Sequence, residues 1–192
     1  MGKVKTRLIP LLGPLGATRA HERLLTHVVH IARAWCHAAS NRQFLLWCTP
    51  NTHHPFFDGL IPPHQRRPQP EGDLGHRLAT IVVRQLKHHQ GVILLGGDCV
   101  SITLPILDQT LAALLHHDAV MVPAEDGGYL LLALTRHHPS LFANIPWGSA
   151  TVAAETRIRL NGLGWRWHEL AAGWDVDHPR DWLRFQSMIR KT

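Results

Sequence analysis

Three acidic segments each follow an apolar run, and they are where chemistry is expected. Gly96-Gly97-Asp98-Cys99 follows 92–95, Glu125-Asp126-Gly127-Gly128 follows 120–123, and Trp174-Asp175-Val176-Asp177 follows 165–170. Carboxylates delivered to one rim repel unless solvated or bound to a cation. A hard divalent ion such as Mg2+ takes oxygen ligands and shares them with substrate phosphates. The N-terminal run Gly2-Lys3-Val4-Lys5-Thr6-Arg7 is the complementary cationic segment. Lysine offers phosphate a point charge, and arginine a forked contact. The run lacks the GxxxxGK[ST] spacing of a Walker A loop. Gly72-Asp73-Leu74-Gly75-His76-Arg77 reads as a helix start that a ligand can approach closely. As bare turn or cap residues, any one of these acids would have no chemistry to do.

Other candidates are weaker. The sixteen histidines include the pairs 53–54, 88–89, 116–117 and 137–138, yet none has HExxH or a similar ligand spacing. Cys99 has no histidine nearby in sequence to activate it and reads as a small buried thiol. Trp147 and Trp174 stand in loops beside candidate segments and read as ligand-stacking residues.

The 192 residues suit one domain, 1–192, with no internal repeat or dividing linker. Hydrophobic residues make up 45% and charged residues 18%, which excludes disordered and fibrous classes. No apolar run reaches the ~18 residues of a membrane span. The formal charge of +6 is unevenly spread. Residues 1–70 hold nine Lys/Arg and two acids, Glu22 and Asp58, whereas 71–192 hold eleven Lys/Arg and twelve acids. Such segregation fits cations gripping phosphate beside carboxylates holding a metal better than it fits a nucleic-acid surface. Three widely spaced cysteines without CxxC fit a reduced, cytoplasmic protein. Met1 to Thr6 matches a myristoylation pattern, which is read as fortuitous. Pro10, Gly13, Pro14 and Gly16 interrupt the apolar run that would otherwise resemble a signal peptide.

These segments need elements to position them. Leu24, Val28, Ile31 and Trp35 recur at helical spacing, which predicts a helix over 17–39 with Arg19, Arg23 and Arg33 solvated. Further helices are expected over 74–89, with Asp73 as N-cap, and over 104–116, 149–163 and 179–189. Strands are expected over 43–49, 91–97, 119–123, 129–134 and 165–170, and a long loop with at most short elements over 50–72. Alternating strands and helices imply a three-layer α/β/α sandwich with a mostly parallel sheet. The Asp-Gly-Gly between two adjacent strands predicts a local antiparallel or offset element, hence a mixed sheet.

The ordered series KVKTRL (3–8), LGPLGA (12–17), GDLGHRL (72–78), LLGGDC (94–99), PAEDGGYLLLAL (123–134), IPWGS (145–149) and WDVDHPRDW (174–182) resembles the DUF2064 family. These are glycosyltransferase-like proteins of the GT-A, nucleotide-diphospho-sugar transferase fold, also labelled selenodomain-associated transferase 1. They are distantly similar to molybdenum-cofactor and 2-phospholactate guanylyltransferases. The resemblance implies that Asp98, Asp175 and Asp177 bind Mg2+ or Mn2+. It implies that Lys3, Lys5 and Arg7 bind nucleotide phosphates, with Asp98, Lys5 and Arg7 at the reacting centre. Asp73 and Arg77 then lie beside the nucleotide, while Glu125, Asp126, Gly127, Gly128, Tyr129 and Trp147 face the acceptor. The family reads G-T-D-C-P where this chain has Gly96-Gly97-Asp98-Cys99-Val100. Family members also carry a strand before the basic loop, so this chain is expected to lack the first, central strand of a Rossmann-like sheet. The implied activity is metal-dependent transfer from a nucleotide-sugar, or from a nucleoside triphosphate, to a small-molecule acceptor, without nucleic acid. Glycosyl transfer, nucleotidyl transfer and a non-catalytic nucleotide-binding relic remain open at this point.

Overall fold

The strongest apolar signals become two buried strands. Ala119–Pro123 (β4) and Tyr129–Leu134 (β5) pair antiparallel. Ala119 to Val122 and Leu131 to Leu134 are all 0% exposed. Successive side chains on a strand point to opposite faces, so this sheet is covered on both. That explains the continuous apolar runs where an alternating pattern would mark a half-solvated sheet.

The computed structural model describes residues 4–190. The chain forms two compact units, and each collects separated segments. One holds 4–44, 96–104 and 174–190; the other holds 45–95 and 105–173. Neither unit is continuous in sequence.

The larger unit holds the sheets. Leu46–Cys48 (β1) pairs parallel with Arg66–Pro68 (β2). Val92–Leu95 (β3), β5, β4 and Trp167–Glu169 (β6) form a second sheet in the order β3-β5-β4-β6. β5 runs antiparallel to β3 and β4, whereas β6 is parallel to β4. The sheet is therefore mixed, as the Asp-Gly-Gly connection predicts. Leu74–Leu86 (α2) and Val152–Gly162 (α4) pack against it, with Val82, Ala153 and Leu160 joining Ala119, Met121, Leu132 and Leu134 in one core. Leu104–Leu114 (α3) follows the 96–104 segment. Among the described residues, β1 and β3 do not pair with each other, and each has a strand neighbour on one side.

The smaller unit is helical. Ile9–His37 (α1) and Pro179–Ile189 (α5) share a core of Leu8, Ala17, Ala20, Leu24, Val100, Val176, Trp182 and Phe185. Here α1 begins earlier than the expected residue 17. Thr6–Leu8 forms a 3-10 turn that runs into it, with Pro10 in the first turn, where its missing N–H costs nothing. Gly13 adopts φ 68, ψ 171, which turns the chain so that Pro14 starts a second helical stretch. The breakers thus redirect the helix without preventing it. Arg23, expected in solvent, lies over the Trp182 ring at 5.6 Å. No helix among the described residues is long and apolar enough to cross a membrane.

The 50–72 segment contains β2 as well as short 3-10 turns at Pro55–Phe57 and Pro63–Gln65. Its organiser is Arg66. The side chain is 6% exposed and donates to the carbonyls of Thr52, Phe57 and Ile61 and to Asp58. A buried cation is tolerable here because its donors meet oriented carbonyl dipoles. Arg66→Ala should destabilise the protein by about 2–3 kcal/mol in urea unfolding and open 50–65 to protease. Arg66→Lys should restore little, because an ammonium lacks the planar fork.

Candidate active site

The cationic and acidic segments meet in the smaller unit. Lys5 Nζ lies 2.5 Å from Asp98 Oδ2 and 3.7 Å from Asp177 Oδ1. Arg7 pairs with the other oxygen of Asp177. Lys5 is nearly buried at 9% side-chain exposure, whereas Asp98 and Asp177 keep about 30% and Arg7 57%. One cation therefore sits inside a ring of acids, and a second sits at its rim.

Local geometry fixes each partner. Lys5 has φ 47, ψ 45, a left-handed conformation that costs a lysine roughly 1 kcal/mol. It is held there by the following 3-10 turn, in which Leu8 N–H donates to the Lys5 carbonyl at 2.9 Å. Asp98 sits in tight turns after β3: Val100 N–H donates to its carbonyl at 2.9 Å, and Val176 N–H does so at 3.3 Å. A Cβ on Gly96 would come within 2.6 Å of Cys99 Sγ and 3.1 Å of Asp98 Oδ1, so glycine permits this turn. Ser101 Oγ donates to the Trp174 carbonyl at 2.7 Å and accepts from Trp174 N–H at 2.8 Å. That reciprocal clamp ties the Asp98 segment to the Asp175–Asp177 segment. Asp181, in the first turn of α5, accepts the N–H groups of Asp177 and His178 and orients the second segment.

Burial alone would push the Lys5 ammonium down, but the carboxylates of Asp98, Asp177 and Asp175 outweigh it and hold the group above 10.5. Cys99 is pushed well up, first by burial and then by Asp98 and Asp175, so it stays a protonated thiol. This agrees with its reading as a small buried residue. The donor chemistry of Asp98, Asp175 and Asp177, all hard oxygens, suits Mg2+. Among the described residues no three His, Cys, Asp or Glu side chains converge as a metal-holding group. The cation between Asp98 and Asp177 is the Lys5 ammonium.

An open cavity of about 440 Å³ adjoins this cluster, lined by Val4, Lys5, Thr6, Arg7, His21 and Asp177. His21 and Ser101 carry no motif, and Asp181 lies in the WDVDHPRDW segment without a role assigned from sequence. Lys3 lies outside the described residues.

The other candidates belong to the larger unit. Asp73 Oδ1 accepts His76 N–H at 2.8 Å and caps α2, as read from sequence. Arg77 donates to Gln69 Oε1 at 3.2 Å, and its Nε is buried without a partner. Gly75 presses against Trp147: a Cβ there would lie 2.8 Å from the indole Nε1 and 2.4 Å from the Phe142 carbonyl. Trp147 in turn meets Tyr129 edge-on at 6.3 Å. The α2 start, Trp147 and Tyr129 are therefore neighbours. Burial pushes the Tyr129 phenol well up, so it is a neutral group. Glu125 and Asp126 stand exposed at the β4–β5 turn. Asp126 Oδ1 accepts Gly128 N–H at 2.9 Å, and Gly127, at φ 91, leaves no room for a Cβ against the Ala150 carbonyl. Trp174 packs with the helical core beneath the Arg184 guanidinium, 4.2 Å away.

This mixed sheet with flanking helices, and acids following its strands, is the GT-A, nucleotide-diphospho-sugar transferase fold. A crystal structure from Desulfovibrio desulfuricans G20, provisionally described as a nucleotide-diphospho-sugar transferase, superposes with a TM-score of 0.79 at 25% identity. The match covers 92% of this chain and 77% of that one. The family model DUF2064, described as "Uncharacterized protein conserved in bacteria", matches residues 32–149, and the chain belongs to that family. No curated protein matches it.

Lys5→Ala should cost about 2 kcal/mol at neutral pH, because it leaves Asp98 and Asp177 facing each other without their cation. Lys5→Gly should cost about 1 kcal/mol less than Lys5→Ala, since glycine carries no left-handed penalty. A lysine raised on folding contributes fully below 10.5 and loses that contribution as pH climbs through its higher folded value. Denaturant titrations of wild type and Lys5→Ala should therefore differ by a constant amount at neutral pH and converge above 10.5.

Proposed function

We propose that the protein is a transferase that takes a nucleotide-sugar donor and passes its glycosyl group to a small acceptor. The observation that carries this reading is Lys5 paired to Asp98 and Asp177 beside an open cavity that Arg7 also lines. The similarity to a nucleotide-diphospho-sugar transferase structure supports it. The diphosphate of a nucleotide-sugar carries two negative charges, as many as the two acids paired to Lys5, and offers paired oxygens to Arg7. Lys5 and Arg7 would bind it and neutralise the charge gathering on the leaving nucleoside diphosphate as the sugar–oxygen bond breaks. The acceptor hydroxyl forms the new bond and gives up its proton. Tyr129 and Trp147 offer a neutral aromatic surface on which an acceptor or sugar ring can pack. Asp73 and Arg77 lie on the element beside them and are proposed to contact the nucleotide, with Glu125 and Asp126 on the acceptor.

Asp98, Asp175 and Asp177 are proposed to hold Mg2+ or Mn2+ once phosphate draws the Lys5 ammonium away. When bound, such an ion supplies further neutralisation of the diphosphate. Nucleotidyl transfer needs the same phosphate site; the fold similarity favours the glycosyl donor. Three free cysteines support a reducing, cytoplasmic setting.

A thermal-shift panel of nucleoside diphosphates and their sugars, with and without Mg2+, tests this reading. At a hundredfold excess over Kd one nucleotide class should raise Tm by about 5–10 °C. The rise should depend on the metal and vanish in Asp98→Asn. No shift across the panel would refute the proposal.

A further inference from the structure

The wall of the phosphate cavity contains an imidazole that the proposed chemistry has not used. His21 lies on α1, one residue beyond the buried Ala20 and four beyond the buried Ala17. It lines the cavity together with Lys5, Thr6, Arg7 and Asp177. Its Nδ1 is buried and has no hydrogen-bond partner. A buried polar atom left unpaired costs about 1–3 kcal/mol, so its retention at a cavity wall calls for a partner that arrives with a ligand.

The surrounding charges decide what kind of partner. Burial, and then the Lys5 ammonium, oppose a second proton on the ring, against weaker pulls from Asp98 and Glu22. His21 is therefore a neutral imidazole with one N–H to give and one lone pair to offer. Lys5 and Arg7 make the cavity a site for anionic oxygen, which accepts hydrogen bonds and donates none. The Nδ1 atom is itself buried, so a turn of the ring about the Cβ–Cγ bond is what brings it to such oxygen, to which it can only donate. Neutral imidazole exchanges its tautomers freely, so the ligand can select the Nδ1–H form.

We propose that His21 is a third phosphate-binding residue of this site and donates a hydrogen bond from Nδ1 to a diphosphate oxygen. This rests on the reading of the cavity as the phosphate site. Lys5 and Arg7 supply charge. His21 supplies direction, because an imidazole N–H donates along the plane of its ring. It thereby sets where the diphosphate sits along the groove between the two cations.

Calorimetric titration with inorganic pyrophosphate, in one magnesium-containing buffer, separates the two claims. Wild type should bind, and Lys5→Ala should lose binding. His21→Leu should bind about tenfold more weakly. His21→Asn, whose amide nitrogen stands close to the position of Nδ1, should stay within about threefold of wild type. Nitrogen NMR of the wild-type imidazole should show conversion to the Nδ1–H tautomer on adding pyrophosphate. If Lys5→Ala loses binding while His21→Leu does not, the His21 assignment fails and the phosphate site stands. If wild type itself does not bind pyrophosphate, both fail. Should His21→Leu not fold, the wild-type tautomer decides, and an unchanged ring overturns the assignment.

Discussion

The contact between the Lys5 ammonium and the carboxylates of Asp98 and Asp177 is the constraint on which the smaller unit depends. It joins residues 93 positions apart in sequence. Three separate chain segments must return to one place for it to form, and each return is secured by its own device. The basic segment is locked by a left-handed residue and a 3-10 turn. The Asp98 segment is locked by tight turns that only small residues allow. The Asp177 segment is locked by Asp181 and by the Ser101 clamp. A nearly buried ammonium without these acids would be costly, and the acids without it would repel. The two carboxylates keep about 30% exposure, so the cluster is open to solvent on its acidic side.

The same arrangement accounts for the uneven charge of the chain. Lys5 and Arg7 serve the cluster, Arg66 holds a loop together by its carbonyls, and Arg23 covers Trp182. These four positive charges serve local contacts, so net charge alone says little about function.

Much of this was legible in the sequence because it rests on local rules. Asp73 ahead of an amphipathic run reads as a cap and is one. Asp-Gly-Gly between apolar runs reads as a connection between antiparallel strands and is one. Acids after strands, set against an N-terminal basic run, predicted that Lys5, Arg7, Asp98 and Asp177 belong together. What was missed depends on distant pairing. Arg66–Pro68 has no apolar period and becomes a strand only because β1 lies beside it. Ser101 acts through a backbone 73 positions away, and His21 lines the cavity only because the chain returns its basic segment to the side of α1. The expected start of α1 at residue 17 is late because the helical period is carried by Leu24, Val28, Ile31 and Trp35, whereas Gly13 and Pro14 form a bend inside the helix.

The account turns on Lys5 as an exchangeable cation that holds the acids together until phosphate claims it. The most direct measurement is a crystal structure with a nucleoside diphosphate and Mn2+, using anomalous scattering to locate the metal. The account predicts Lys5 Nζ on a phosphate oxygen and manganese between Asp98 and Asp177. A diphosphate bound elsewhere, with Lys5 still on Asp98, would contradict it.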